Sequence, residues 1–265
     1  MSTPLDDLFV KTRKEKRAAL IGFLPAGFPT QPGSISVLTA MVHGGCDAIE
    51  IGFPYSDPVM DGPIIQAASD QSLKQGTGAK EVFATVRAIA ALAPTVVMTY
   101  WNPIERYGVK KFLDSMKENG GSGAVTPDLT IEESSQWIEE TKKLDSNRIF
   151  VVAPSTSDER LKKVAEASTG FIYAASLMGV TGTRASVSTG AQTLVDRIRR
   201  VTDKPVAVGL GVSTPEQAHE VARYADGVIV GSAFIRLLQE SKSEEEGINK
   251  VKDLAIALAQ GMKRS

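Results

Sequence analysis

The chain has 265 residues, room for one large domain or two small ones. Its 30 Lys and Arg against 31 Asp and Glu give a formal net charge of −1, which offers no basic footprint for nucleic acid and no attraction to an anionic membrane surface. The lone cysteine, Cys46, excludes a disulfide within the chain, and no apolar run is long enough to cross a bilayer.

Residues 1–7 have neither the basic start nor the apolar core of a signal peptide, so a reducing cytoplasm is the expected setting. An opening helix is expected over 5–16, with Lys11 to Arg17 on a solvated face. A first strand over 18–26 precedes a helix over 34–43; a second strand over 47–53 runs into an unusually long connection, 54–77, before a helix over 79–92. Next come a strand over 95–101, a helix over 109–118, a strand over 123–127 entered through Gly120-Gly121-Ser122-Gly123, and a helix over 131–143. A strand over 148–153, a helix over 158–167 and a strand over 171–176 lead to a second long connection, 177–190, and a helix over 191–201. The series ends with a strand over 205–210, a helix over 215–224, a strand over 227–231 and a closing helix over 247–263.

Strand followed by helix, repeated about eight times with nearly uncharged strands, predicts a parallel sheet buried on both faces by helices. A closed barrel and an open doubly wound sheet compete. No Gly-x-Gly-x-x-Gly follows the first strand, and eight units in this length suit a barrel. With no linker or composition break, residues 1–265 are expected to form a single α/β domain, a (β/α)₈ (TIM) barrel with an extra N-terminal helix. Chemistry in such barrels sits where strands end and the following loops begin, which directs attention to the two long connections.

Both histidines, His43 and His219, fall inside predicted helices away from strand ends, so histidine acid–base catalysis and a histidine-rich metal site are not expected. No lysine lies in a predicted strand, and there is neither a Gly-x-Ser-x-Gly elbow nor a Walker loop. Carboxylates and tyrosines remain. Glu50, within Ala48-Ile49-Glu50-Ile51-Gly52-Phe53, faces the barrel interior if Ile49 and Ile51 face the helices. A buried carboxyl there would have a raised pKa suited to general acid/base work; a structural hydrogen bond to a neighbouring strand is the alternative. Asp61, before Gly62-Pro63, is either catalytic or a helix N-cap, and Asp57 before Pro58 reads as a turn residue. Tyr173 and Tyr100 lie at strand ends, where aromatics more often wall a pocket than react. Gly211 and the helix start at Gly231-Ser232, with Gly182 after the sixth strand, form a pattern for binding phosphate through backbone N–H groups; ordinary turns and a Ser N-cap are the alternative.

These residues resemble the α subunit of tryptophan synthase. Glu50-Ile51-Gly52-Phe53-Pro54-Tyr55-Ser56-Asp57-Pro58-Val59-Met60-Asp61-Gly62-Pro63-Ile64-Ile65-Gln66 matches that family's signature throughout. Gly179-Val180-Thr181-Gly182 is similar to its mobile loop; Gly209-Leu210-Gly211-Val212-Ser213-Thr214-Pro215-Glu216-Gln217 and Gly231-Ser232-Ala233 resemble its phosphate site, and Pro127-Asp128-Leu129 with Glu132-Glu133 is also similar. The resemblance implies a lyase of tryptophan biosynthesis that cleaves indole-3-glycerol phosphate to indole and glyceraldehyde 3-phosphate, with no metal and no cofactor of its own. Carried across, Glu50 is the acid/base, Asp61 holds the indole N–H, and Tyr173 positions the substrate's side chain. Gly182, Gly211, Gly231 and Ser232 hold phosphate, Thr181 belongs to the substrate-binding flap, and Phe23, Met98, Tyr100 and Leu210 wall the indole. It also implies an α2β2 heterotetramer with a pyridoxal-phosphate β subunit that takes indole through a tunnel, facing Pro54, Asp57 and 127–129, and a flap over 177–190 that closes on substrate. Leu177-Met178, Thr183-Arg184 and the glycine-rich 120–123 depart from the family pattern, which bears on flap closure and one pocket wall. The rival readings are an isomerase or epimerase on the same barrel, and a catalytically silent barrel that binds and activates the β subunit.

Overall fold

A computed structural model describes residues 2–175, 184–209 and 211–264. Eight parallel strands close in sequence order: β1 (Ala19–Pro25), β2 (Ala48–Gly52), β3 (Thr95–Met98), β4 (Gly123–Thr126), β5 (Asn147–Val152), β6 (Ile172–Ala175), β7 (Val206–Gly209) and β8 (Gly227–Val230). The barrel is sealed where β8 returns to β1, from Ala19↔Gly227 to Gly22↔Val230. This is the expected (β/α)₈ architecture, and the extra N-terminal helix is present as α1 (Pro4–Lys14). Among the described residues no helix is long and apolar enough to cross a membrane.

Around the barrel run α2 (Gln31–His43), α3 (Pro63–Lys74), α4 (Ala79–Ala90), α5 (Trp101–Tyr107), α6 (Val109–Glu118), α7 (Ser135–Lys143), α8 (Asp158–Ala167), α9 (Arg184–Arg199), α10 (Pro215–Ala222), α11 (Ser232–Gln239) and α12 (Glu244–Gly261). Strand alternation sorts the two faces. Ile49 packs outward, meeting Gly22 beside Met41 of α2 and the buried Cys46. Glu50, one residue on, therefore faces inward.

Three expectations need correction. The connection 54–77 is not one long loop, because α3 occupies 63–74, with Pro63 in its first turn where a missing N–H costs nothing. The third strand ends at Met98 rather than reaching 101: the Trp101 N–H is taken by both oxygens of Asp128, at 2.9 and 3.1 Å, and α5 begins there. Helix α9 starts at Arg184, so 184–190 belong to a helix and not to the second connection.

Helix α1 covers the N-terminal ends of the strands. A reciprocal cap between Thr3 and Asp6 starts it, Leu5 and Phe9 are buried beneath it, and Phe9 packs on Phe171 just before β6. Asn147, the first residue of β5, donates to the Thr3 hydroxyl at 2.6 Å. That end is closed, which leaves the C-terminal strand ends for a site.

Candidate active site

A cavity of about 370 Å³ opens at the C-terminal ends of the strands. Glu50, Asp61, Tyr173, Phe23, Met98, Gly211, Gly231 and Ser232 all line it, so eight side chains or backbones singled out from the sequence are brought together. Thr181, Gly182 and Leu210 lie outside the described residues. His43 ends α2, and His219 in α10 sits 3.3 Å from the Gly261 carbonyl; neither lines the cavity. No group of three His, Cys, Asp or Glu among the described residues is arranged to hold a metal ion.

Glu50 is fully buried, and neither carboxylate oxygen has a hydrogen-bond partner among the described residues. The alternative of a structural glutamate bonded to the next strand is thereby excluded. Burial, with a smaller contribution from the charge of Asp61, pushes its pKa up to about 8. Near neutral pH this group is mostly a carboxylic acid.

Asp61 reaches the cavity from the β2–α3 loop, where its N–H bonds to the Pro58 carbonyl at 3.1 Å and its carbonyl accepts from Gln66 at 2.8 Å. It is not the N-cap of α3; Gly62 takes that place, without any side-chain cap. Burial raises its pKa to about 6, and the Tyr100 hydroxyl offsets part of that rise. Near neutral pH Asp61 is mostly ionised, so environment alone sets the two carboxyl groups in opposite states.

Glycines clear space for the aromatic walls. Phe23 stands opposite Glu50 in the β1–β2 register, its ring so close to Gly52 and Gly231 that an added Cβ would come within 2.8 and 2.7 Å. Tyr173 lies over Gly209 in the same way, its hydroxyl 2.5 Å from where a Cβ would be. Burial first, then the charges of Glu50 and Asp61, keep that phenol protonated well above its ordinary range. Tyr100, expected as a wall, does not line the cavity; its hydroxyl accepts the Met60 N–H at 3.0 Å.

The opposite end of the cavity is built from main chain. Gly211 has φ +75°, a left-handed conformation that favours glycine. Helix α11 makes its first bond from the Ile235 N–H to the Gly231 carbonyl, which leaves the N–H groups of Ser232 and Ala233 without helical acceptors. An anion suits that position. Ile64 and Ile65 of α3, Val151 and Ile229 add to the apolar lining and were given no role from the sequence, while Pro127, expected to face the β subunit, lines the cavity as well. For Val151 the inward phase of β5 was the available signal; for Ile64 and Ile65 it was the helix hidden in the long connection.

A family model described as tryptophan synthase alpha chain matches residues 9–264. The tryptophan synthase alpha chain of Thermobifida fusca is 52% identical over 265 residues, covering 98% of each chain. That of Streptomyces avermitilis is 51% identical over 261 residues, covering 98% of this chain and 94% of its own. Among solved structures, Mycobacterium tuberculosis tryptophan synthase superposes with a TM-score of 0.92 at 46% identity, over 100% of both chains. The alpha subunit from Legionella pneumophila gives 0.90 at 28% identity over 99% of both. Fold, cavity and sequence converge, and the chain belongs to the tryptophan synthase alpha chain family.

Proposed function

We propose that Glu50 and Asp61 divide the proton chemistry of the reaction this family performs, the cleavage of indole-3-glycerol phosphate to indole and glyceraldehyde 3-phosphate. The supporting observation is Glu50 itself, a buried acid with no partner among the described residues, facing a cavity that an ionised Asp61 shares. Glu50 delivers its proton to C3 of the indole ring, which weakens the bond from C3 to the side chain's first carbon. Asp61 accepts the indole N–H and stabilises the positive charge that develops on the ring. The Glu50 carboxylate then takes the proton from the hydroxyl on that carbon. As the carbon–carbon bond breaks, its electron pair restores the indole and the oxygen becomes the aldehyde of glyceraldehyde 3-phosphate. Glu50 ends as it began, protonated.

Tyr173 holds the side-chain hydroxyls from above Gly209, and the phosphate lies on Gly211, Gly231 and Ser232. Phe23 and Met98 flank the ring. Low polarity around the reacting atoms strengthens each of these contacts. Alpha chains of this family pair with a β subunit; the assembly here is an α2β2 heterotetramer in which the pyridoxal-phosphate β subunit consumes the indole. Exposed Asp57, Val59, Met60 and Asp128 ring the loop that carries Asp61 and suit that contact, whereas Pro54 and Leu129 are buried within the chain itself.

Glu50→Gln tests the assignment. Indole release should fall by about 10³-fold, the scale of general acid–base catalysis, while circular dichroism and inorganic-phosphate affinity stay as in wild type. Normal turnover by that variant would remove Glu50 as the proton carrier. A wild-type chain that binds substrate and β subunit but never releases indole would instead favour the silent barrel.

A further inference from the structure

The Tyr100 hydroxyl sits between the β3 end and the loop that carries Asp61. It accepts the Met60 N–H at 3.0 Å and faces the Asp61 carboxylate. A phenol oxygen has one proton to give and lone pairs to accept with. With a lone pair taken by the Met60 N–H, the hydroxyl proton is left for another acceptor, and the carboxylate of the next residue in that loop, Asp61, is the group at hand.

The phenol is itself held. Tyr100 is only 4% exposed, and its ring packs on Tyr55 with centroids 5.4 Å apart and planes inclined by 33°. The Tyr55 hydroxyl accepts from Asn102 Nδ2 at 2.9 Å, and the Trp101 N–H, next in the chain, is fixed by Asp128. A purely apolar wall would be served equally by phenylalanine. None of these contacts needs the substrate, so the hydroxyl is set before binding.

We infer that Tyr100 is a positioning residue for Asp61 in the lyase reaction, its hydroxyl anchored on the Met60 N–H and aimed to orient the Asp61 carboxylate toward the indole N–H. This rests on the role proposed above for Asp61. A donor to the carboxylate favours its ionised form, the form that accepts from indole, and burial works against that form.

The test measures indole release across pH for wild type, Tyr100→Phe, Asp61→Asn and the double variant, each alone and with excess β subunit. Tyr100→Phe should lower kcat about tenfold, the loss expected for one hydrogen bond to a charged group, with KM changed by no more than about twofold. Its acid limb should move to higher pH, because Asp61 has lost a donor. Added to Asp61→Asn, the substitution should cost no more than about a further twofold, since it acts through the group already removed. Normal turnover by Asp61→Asn would overturn the role of Asp61 and this inference with it. If Asp61→Asn is slow but Tyr100→Phe keeps the wild-type acid limb, or the two losses multiply, Tyr100 does not act through Asp61 and the inference alone falls.

Discussion

Glu50 makes the native state sensitive to alkali. Its usual pKa of 4.5 is pushed up to about 8 by burial, so between those values the folded chain keeps a proton that the unfolded chain releases. Stability therefore falls as pH rises through that window, and above it the native state carries the full cost of a buried, unpaired charge. At about 1.4 kcal/mol per pKa unit, that cost is on the order of a few kcal/mol. Glu50→Gln removes the charge and keeps the shape. It should melt at a higher temperature than wild type above about pH 8 and converge with it near pH 5. Thermal melts across that range check this, and equal melting temperatures at alkaline pH would mean that the carboxylate has found a partner or water.

Among elements, legibility followed periodicity. Inward Glu50 was readable because Ile49 and Ile51 flank it in a two-residue repeat, and helix α8 was readable to the residue from its apolar spacing after Ser157. Helix α3 was masked by the turn-like run Pro58 to Pro63, whose proline serves the helix it seemed to interrupt. Helix α5 was masked by an apolar strand pattern continuing to Trp101; its cap, Asp128, lies 27 residues away in sequence. The same distance barrier hid the contact of Tyr100 with Met60, 40 residues apart, and the space that Gly209 makes for Tyr173. Such cross-strand clearances belong to the closed barrel rather than to any one segment. Gly209→Ala would put a methyl 2.5 Å from the Tyr173 hydroxyl, and the ring must move. A strain of roughly 1–3 kcal/mol is expected, with kcat/KM for indole release down at least about tenfold and the barrel still folded. Unchanged kinetics would mean that the position of Tyr173 does not matter to the reaction.

At the scale of the whole molecule the two ends of the barrel have separate tasks. The C-terminal end holds Glu50, an acid with no partner among the described residues, while the N-terminal end holds a satisfied one, Asp226, just before β8. Asp226 is 3% exposed; it accepts from Arg13 Nε at 3.3 Å, from Arg199 and from the Val206 N–H at 3.0 Å, with Arg264 at 3.5 Å. It thereby ties α1, the end of α9 and the chain's last turn to the barrel floor. Burial alone would raise its pKa, but hydrogen bonds from Arg13 and Arg199 outweigh that and hold it below the usual carboxylate range. Its stabilisation is present above the unfolded-state pKa, near 3.9, and is lost as pH falls through the lower folded value. Asp226→Ala should cost about 3 kcal/mol at neutral pH, and chemical denaturation should show the gap to wild type closing in strong acid. KM for the lyase substrate should be unaffected, since no cavity residue is touched. The opposite protonation states of the two carboxyl groups in their shared cavity should be read out by the pH profile of kcat/KM for indole release. The prediction is a bell with an acid limb near pH 6 from Asp61 and an alkaline limb near pH 8 from Glu50. A rate that keeps rising through pH 9 would contradict it, because Glu50 would then be needed as a carboxylate from the start.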